Sequence, residues 1–137
     1  MKWVAVPLLL AAALIAIALA GWWLKRPAVA VAVRCADPLA GCAFSHRGAA
    51  VDVRFLSQPT PLEAFGLRVS APGVRRISAE FQMTGMDMGF NRYDLRPAGD
   101  ETFAASVTLP VCIGGRHDWT LFLDVDGIRY ALPFKSR

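Results

Sequence analysis

Trp119-Thr120-Leu121-Phe122-Leu123-Asp124-Val125-Asp126-Gly127-Ile128-Arg129-Tyr130-Ala131-Leu132-Pro133-Phe134 is the stretch whose reading decides the fold. Trp119, Leu121, Leu123 and Val125 alternate with Thr120, Phe122 and Asp124, the period-two signature of a half-buried strand. Asp126-Gly127 then supplies a two-residue turn of type I′, which needs positive φ at both central positions. Ile128, Tyr130, Leu132 and Phe134 return. A two-residue loop pairs 125 with 128, 123 with 130, 121 with 132 and 119 with 134. The eight apolar residues of these pairs fall on one face, and a slip of one residue would turn them to water.

Working upstream, the same period recurs. Phe103, Ala105, Val107 and Leu109 alternate with Ala104, Ser106 and Thr108. Ile77, Ala79, Phe81 and Met83 alternate with Ser78, Glu80 and Gln82. Phe65, Leu67 and Val69 form another set, and Val51, Val53 and Phe55 the first, with Tyr93 and Leu95 a shorter piece. Gln58-Pro59-Thr60-Pro61, Ala71-Pro72-Gly73 and Pro97-Ala98-Gly99-Asp100 are the breaks between them. About seven short strands at this spacing, without a helical period, predict an all-β fold, an immunoglobulin-like β-sandwich.

The first residues do not belong to that pattern. The chain has 137 residues, 55% of them hydrophobic and 19% charged, and the apolar excess lies at the N-terminus. Trp3 to Leu24 carries no charge and would span about 33 Å as a helix, against roughly 30 Å for a bilayer core. Trp3 at one end and Trp22-Trp23 at the other stand where interfacial aromatic belts belong. Lys25-Arg26-Pro27 stops the run. The predicted organisation is an N-terminal signal-anchor over 1–26, a spacer over 27–34 and a β domain over 35–137. The competing reading is a cleaved signal peptide, because Ala18-Leu19-Ala20 has the form of a cleavage site. The apolar run through Gly21-Trp22-Trp23-Leu24 argues for retention.

The chain contains three cysteines. Asp37-Pro38 and Gly41 are turn formers between Cys35 and Cys42, so those two sulfurs are expected to meet in a disulfide, leaving Cys112 as a free thiol. Such a bond persists only outside the cytosol. Lys25, Arg26 and Arg34 against Lys2 favour the opposite orientation by the positive-inside rule. The cysteines decide the expectation: a single-pass protein of the inner membrane with its C-terminal domain facing the periplasm. A formal net charge of +4 is modest and scattered, with Arg75-Arg76 the sole arginine pair of the β domain, so no nucleic-acid surface is expected.

The chemistry concentrates in Met83-Thr84-Gly85-Met86-Asp87-Met88-Gly89-Phe90-Asn91. Parity makes Met83 the last inward residue of its strand. Met86 and Met88 would stand together on the other face if the chain stayed extended. Two thioethers on a glycine-flanked corner suit a soft metal, Cu(I) above all. Cys112 and His117 would complete the shell if their loop meets the corner. The plainer reading is methionine filling gaps at the end of a sandwich. A blue-copper set of Cys112, His117 and His46 fails, because no methionine follows His117. Zinc lacks a second ligand pair. No catalytic residues are assigned and no enzyme is expected: Ser45-His46 are strand neighbours pointing to opposite faces, and Asp124 and Asp126 read as a solvated turn.

Gly85-Met86-Asp87-Met88-Gly89-Phe90-Asn91-Arg92, Leu109-Pro110-Val111-Cys112-Ile113, Arg116 and Asp118-Trp119 together resemble small membrane-tethered bacterial proteins of unassigned function. Those are often found beside Sco-type copper chaperones and cytochrome oxidase assembly factors. In outline the domain is also similar to the FixH- and YtkA-like group, single-anchor proteins with an extracytoplasmic β-sandwich. The resemblance covers roughly 35–134. It implies an accessory role in copper handling or oxidase assembly, with a copper chaperone or oxidase subunit as partner. The alternative is an interaction module without a metal that docks on a membrane complex.

Overall fold

The computed structural model describes residues 2–25, 29–86, 88–111 and 114–137, and of residues 2–5 the backbone only. One helix, α1 (Lys2–Leu24), precedes ten strands among the described residues. In chain order these are β1 (Val31–Ala32), β2 (Cys42–His46), β3 (Ala49–Phe55), β4 (Ala64–Ser70), β5 (Ile77–Met83), β6 (Arg92–Asp94), β7 (Arg96–Pro97), β8 (Thr102–Thr108), β9 (Asp118–Val125) and β10 (Ile128–Lys135). They form two five-stranded sheets, ordered β1-β10-β9-β5-β6 and β2-β3-β4-β8-β7. The chain passes between sheets after β1, β4, β6 and β8. The count exceeds the expected seven by three edge strands, β1, β2 and β7, of which β1 and β7 have only two residues each.

The terminal hairpin has the register its sequence dictates: Val125 opposite Ile128, Leu123 opposite Tyr130, Leu121 opposite Leu132 and Trp119 opposite Phe134. Asp126 and Gly127 both have positive φ, 43° and 87°, as a type I′ turn requires. β9 is central in its sheet, paired on its other side with β5. Its inward residues are all buried.

Opposite lie Val53, Phe55, Phe65, Leu67, Val69 and Val107 of the second sheet, also buried. Phe55 of that sheet meets Phe134 of the first edge-on, and Phe65 meets Phe81 likewise, with centroids 5.1 and 5.9 Å apart. Such edge-to-face pairs contribute about 0.5–1.5 kcal/mol each beyond their buried area. This shared cluster joins the two sheets into a sandwich-like domain.

One strand of more than two residues was not legible in the sequence. β2 pairs with β3 through the Arg47-Gly48 turn, with His46 opposite Ala49. Its inward residues are Cys42 and His46, both buried, rather than a run of aliphatic side chains.

Within α1, Val6–Leu24 is long and apolar enough to cross a membrane, and none of that window is buried against the domain. Trp22 and Trp23 are exposed near its end. The Trp3 side chain lies outside the described residues. β1 runs parallel to β10, with Val31 beside Tyr130. The chain therefore comes into the sandwich at the end holding the Asp126-Gly127 turn and runs toward the opposite end.

Candidate functional site

That opposite end carries the methionine corner. β5 ends at Met83, which is fully buried and paired with Trp119. The chain does not stay extended beyond it. Met86 donates its N–H to the Met83 carbonyl at 3.1 Å, closing a turn over Thr84-Gly85. Gly85 sits there at φ 76°, a backbone state that glycine takes at no steric cost. The turn corrects the expectation that Met86 and Met88 share one outward face. Met86 is 47% exposed, whereas Met88 is half-buried and packs against the core.

Polar side chains fix the corner's shape. Gln82 accepts the Met88 N–H at 2.8 Å and donates to the Gly89 carbonyl at 3.2 Å. Asn91 returns the chain to β5 through Phe81: its side-chain amide donates to the Phe81 carbonyl at 3.3 Å, and its carbonyl accepts the Phe81 N–H at 3.0 Å. Between these anchors Phe90 is 92% exposed.

The loop before β9 does meet the corner. Thr84 donates its N–H to the Asp118 carbonyl at 3.2 Å, and Arg116 donates to the Thr84 carbonyl at 2.8 Å. Arg116 also forms a two-point ion pair with Asp118, at 3.1 and 2.6 Å. The Arg116 hydrogen bond holds the Asp118 carboxyl below its usual pKa. Val111 is exposed in the same loop. His117, however, leans toward the C-terminus: its carbonyl accepts the Ser136 N–H, and its Nδ1 lies 3.4 Å from the Ser136 hydroxyl. Cys112, the remaining expected ligand, lies outside the described residues, as does Asp87. No group of three or more His, Cys, Asp or Glu side chains that could hold a metal occurs among the described residues.

Cys35 and Cys42 stand at disulfide distance, their Cα atoms 5.4 Å apart. The Asp37 carboxylate accepts the Leu39 N–H at 2.9 Å, and Gly41 donates to the Asp37 carbonyl, so the expected turn brings them together. The Pro38 carbonyl accepts the N–H of Phe55, which fastens this loop to the same end of the sandwich as the corner.

No family model, curated protein or solved structure matches the chain. The likeness to membrane-tethered oxidase-associated proteins therefore rests on the quoted motifs alone.

Other groups acquire roles that strand parity did not reveal. His46 is 3% exposed and lies between the sheets, its Nδ1 2.9 Å from the Tyr130 hydroxyl. It occupies the end opposite His117, so no site can use both. Among the described residues its buried Nε2 has no hydrogen-bond partner, nor has Trp119 Nε1. Asp126 is not merely a solvated turn residue: its carboxylate accepts the backbone N–H groups of Arg75 and Arg76 at 2.9 to 3.2 Å. Asp124 joins an ion-pair network in which Arg129 bridges it, at 3.1 Å, to Glu80, at 2.7 Å. The Arg129 guanidinium also lies 4.5 Å over the Phe122 ring. Burial works to raise the Glu80 pKa, but hydrogen bonds from Arg129 and Gln82 and the charges of Arg129 and Arg92 outweigh it, so the net shift is downward.

Proposed function

We propose that this protein is a membrane-anchored binding module with an immunoglobulin-like sandwich outside the cytosol, docking on a membrane complex through the methionine corner. The observation that carries the reading is the pairing of exposed Met86 and Phe90 with a hydrogen-bonded frame of Gln82, Asn91 and Arg116. Apolar side chains held out in water by a fixed polar frame form a pre-organised contact surface, which lowers the ordering cost of binding. They stand at the end away from the point where the chain arrives from α1, the side open to a partner. The motif resemblance implies a partner class, namely a copper chaperone or an oxidase subunit. The Cys35–Cys42 pair supports the orientation, since a bond between them is stable outside the cytosol.

A second reading has an observation of its own. The Met86 thioether is exposed two residues from Met88, and together they would offer Cu(I) two soft ligands, with Cys112 as a third. Titrating the full-length protein in detergent with Cu(I) against a competing chelator separates the two. Uptake of one Cu(I), weakened strongly by Met86→Leu and Met88→Leu, supports the copper site. No uptake above background removes it and leaves docking. Docking itself is tested by a photo-crosslinking residue at position 90 in native membranes. A discrete adduct with one membrane protein, absent when the probe replaces Arg68 on the far sheet, is the expected result. Equal labelling from both positions would count against a defined docking face.

A further inference from the structure

A broad depression of the domain lies away from the methionine corner. It is an open basin of about 870 Å³ running from the outer face of the first sheet onto the opposite end, with Arg47, Arg75, Arg76, Arg92 and Arg129 along it. Two carboxylates, Asp124 and Asp126, line it as well. Arg129 and Arg92 are engaged by Asp124, and Arg76 lies 3.7 Å from Asp94. The Asp126 carboxylate is occupied by backbone N–H groups. Arg47 and Arg75 form no carboxylate ion pair among the described residues. Arg47 donates to the Asp126 carbonyl at 3.4 Å. The basin therefore presents guanidinium groups in excess of carboxylates. Asp100 and Glu101 lie at the same end beneath the second sheet, since Glu101 bonds Ala71, and they bias contact toward the basin side.

Topology places this basin. The chain reaches the sandwich at Val31, beside Tyr130, at the end where Arg47, Arg75 and the Asp126-Gly127 turn cluster. From the end of α1 at Leu24 to Val31 is a seven-residue step, which even fully extended spans roughly 25 Å. A domain tethered that closely has its basic end held near the headgroup layer, where surface charge acts over a Debye length of about 8–10 Å. Guanidinium groups are suited to phosphate by their fork of donors and weak hydration.

We infer that the arginine basin, through Arg47, Arg75 and Arg76, docks the domain onto anionic phospholipid headgroups of the bilayer that holds α1. The contact fixes the sandwich upright, with its methionine corner directed away from the membrane. It rests on the reading of α1 as a retained anchor, but on nothing concerning copper.

The test uses the full chain in nanodiscs of phosphatidylcholine alone or with about 30% phosphatidylglycerol, footprinted with an arginine-selective dicarbonyl reagent. Arg75 and Arg76 should be protected only in the anionic discs, and protection should vanish at about 0.5 M NaCl. Arg68, on the outer face of the second sheet, should react equally in both. Each basic residue near an anionic surface strengthens contact roughly fivefold, so Arg47→Gln should lower Arg75 protection by about that factor. Lengthening the seven-residue step to twenty-eight with Gly-Ser insertions should lower protection about eightfold, as effective concentration falls with the −3/2 power of length. Equal modification in both lipids would overturn the inference and leave the anchor intact. Protection by inorganic phosphate in phosphatidylcholine discs would also overturn it, making the basin a soluble-phosphate site. A chain that fails to co-purify with the discs would refute the anchor and the docking together.

Discussion

Asp126 occupies the first position of a type I′ turn and also clamps a neighbouring loop, because its side chain reaches the N–H groups of Arg76 and Arg75. The Arg76 N–H is the main reason its carboxyl titrates below the usual range, with the Arg75 N–H and the Arg47 charge adding to it against some desolvation. A carboxylate whose folded pKa is depressed stabilises the fold above its unfolded pKa and loses that contribution as pH falls through the folded value. The window lies below about pH 4, where an unperturbed aspartate protonates. Acidification through it should lower the wild-type thermal midpoint more steeply than that of Asp126→Asn, whose amide oxygen can still accept these N–H groups but carries no charge to lose. Parallel curves would show that Asp126 contributes nothing through its charge. His46 and Tyr130 offer a second case. Tyr130→Phe leaves the buried His46 Nδ1 without a partner and should cost about 1–3 kcal/mol in chemical denaturation. The double variant His46→Leu, Tyr130→Phe removes both polar groups and should recover most of that loss. If the double variant were as unstable as the sum of the singles, the pair would not be acting as a hydrogen-bonded unit.

Among the elements, the β9–β10 hairpin combines local turn chemistry with the burial pattern of a whole sheet. Gly127 at φ 87° is required by the turn rather than by packing, since an added Cβ would meet nothing within 4 Å. Gly127→Ala should therefore lower stability by about 1–2 kcal/mol through backbone strain alone, read as a shift in the urea midpoint at unchanged slope. This hairpin was fully legible because two independent signals, alternation and Asp-Gly, specify one register. β2 was not, because its inward positions are filled by Cys42, half-buried Phe44 and His46, which carry no aliphatic period. The methionine corner was legible as a corner but not in its phase. Alternation assumes extended backbone, and the Met83–Met86 turn breaks it, sending Met88 back onto the core. The Asp126 clamp and the Arg129 bridge were also invisible, since they join residues 49 to 51 positions apart that only the sheet order brings together. Met83→Leu should change stability by less than about 1.5 kcal/mol, because leucine conserves the buried volume, and it should leave the exposed Met86 unaffected.

At the scale of the whole molecule, the domain and α1 make opposite demands on their surroundings. The sandwich buries its own apolar residues between two sheets. α1 buries none of its Val6–Leu24 window, and Leu8, Leu9, Leu10, Leu14, Ile15 and Ile17 are all exposed. Each large aliphatic side chain left in water forgoes about 1.5–3 kcal/mol, so that surface requires another cover. Among the described residues the domain offers none, and lipid is the cover that the proposed anchor would supply. Retention predicts that the native protein stays with the membrane pellet after alkaline carbonate extraction, at the full length of 137 residues. A shortened protein in the supernatant, with an N-terminus at Gly21, would instead mark Ala20 as a cleavage site. Thiol labelling of intact cells decides orientation. With the domain outside the cytosol, Cys35 and Cys42 are oxidised, and a membrane-impermeant maleimide applied to intact cells with permeable outer membranes labels one thiol, Cys112. Denaturing the unreduced protein should expose no further thiol, whereas reduction should bring the count to three. Three thiols without reduction, silent to the impermeant reagent until the cells are lysed, would place the domain in the cytosol. In that case the positive charges of Lys25 and Arg34, and not the turn that joins the cysteines, would have set the topology.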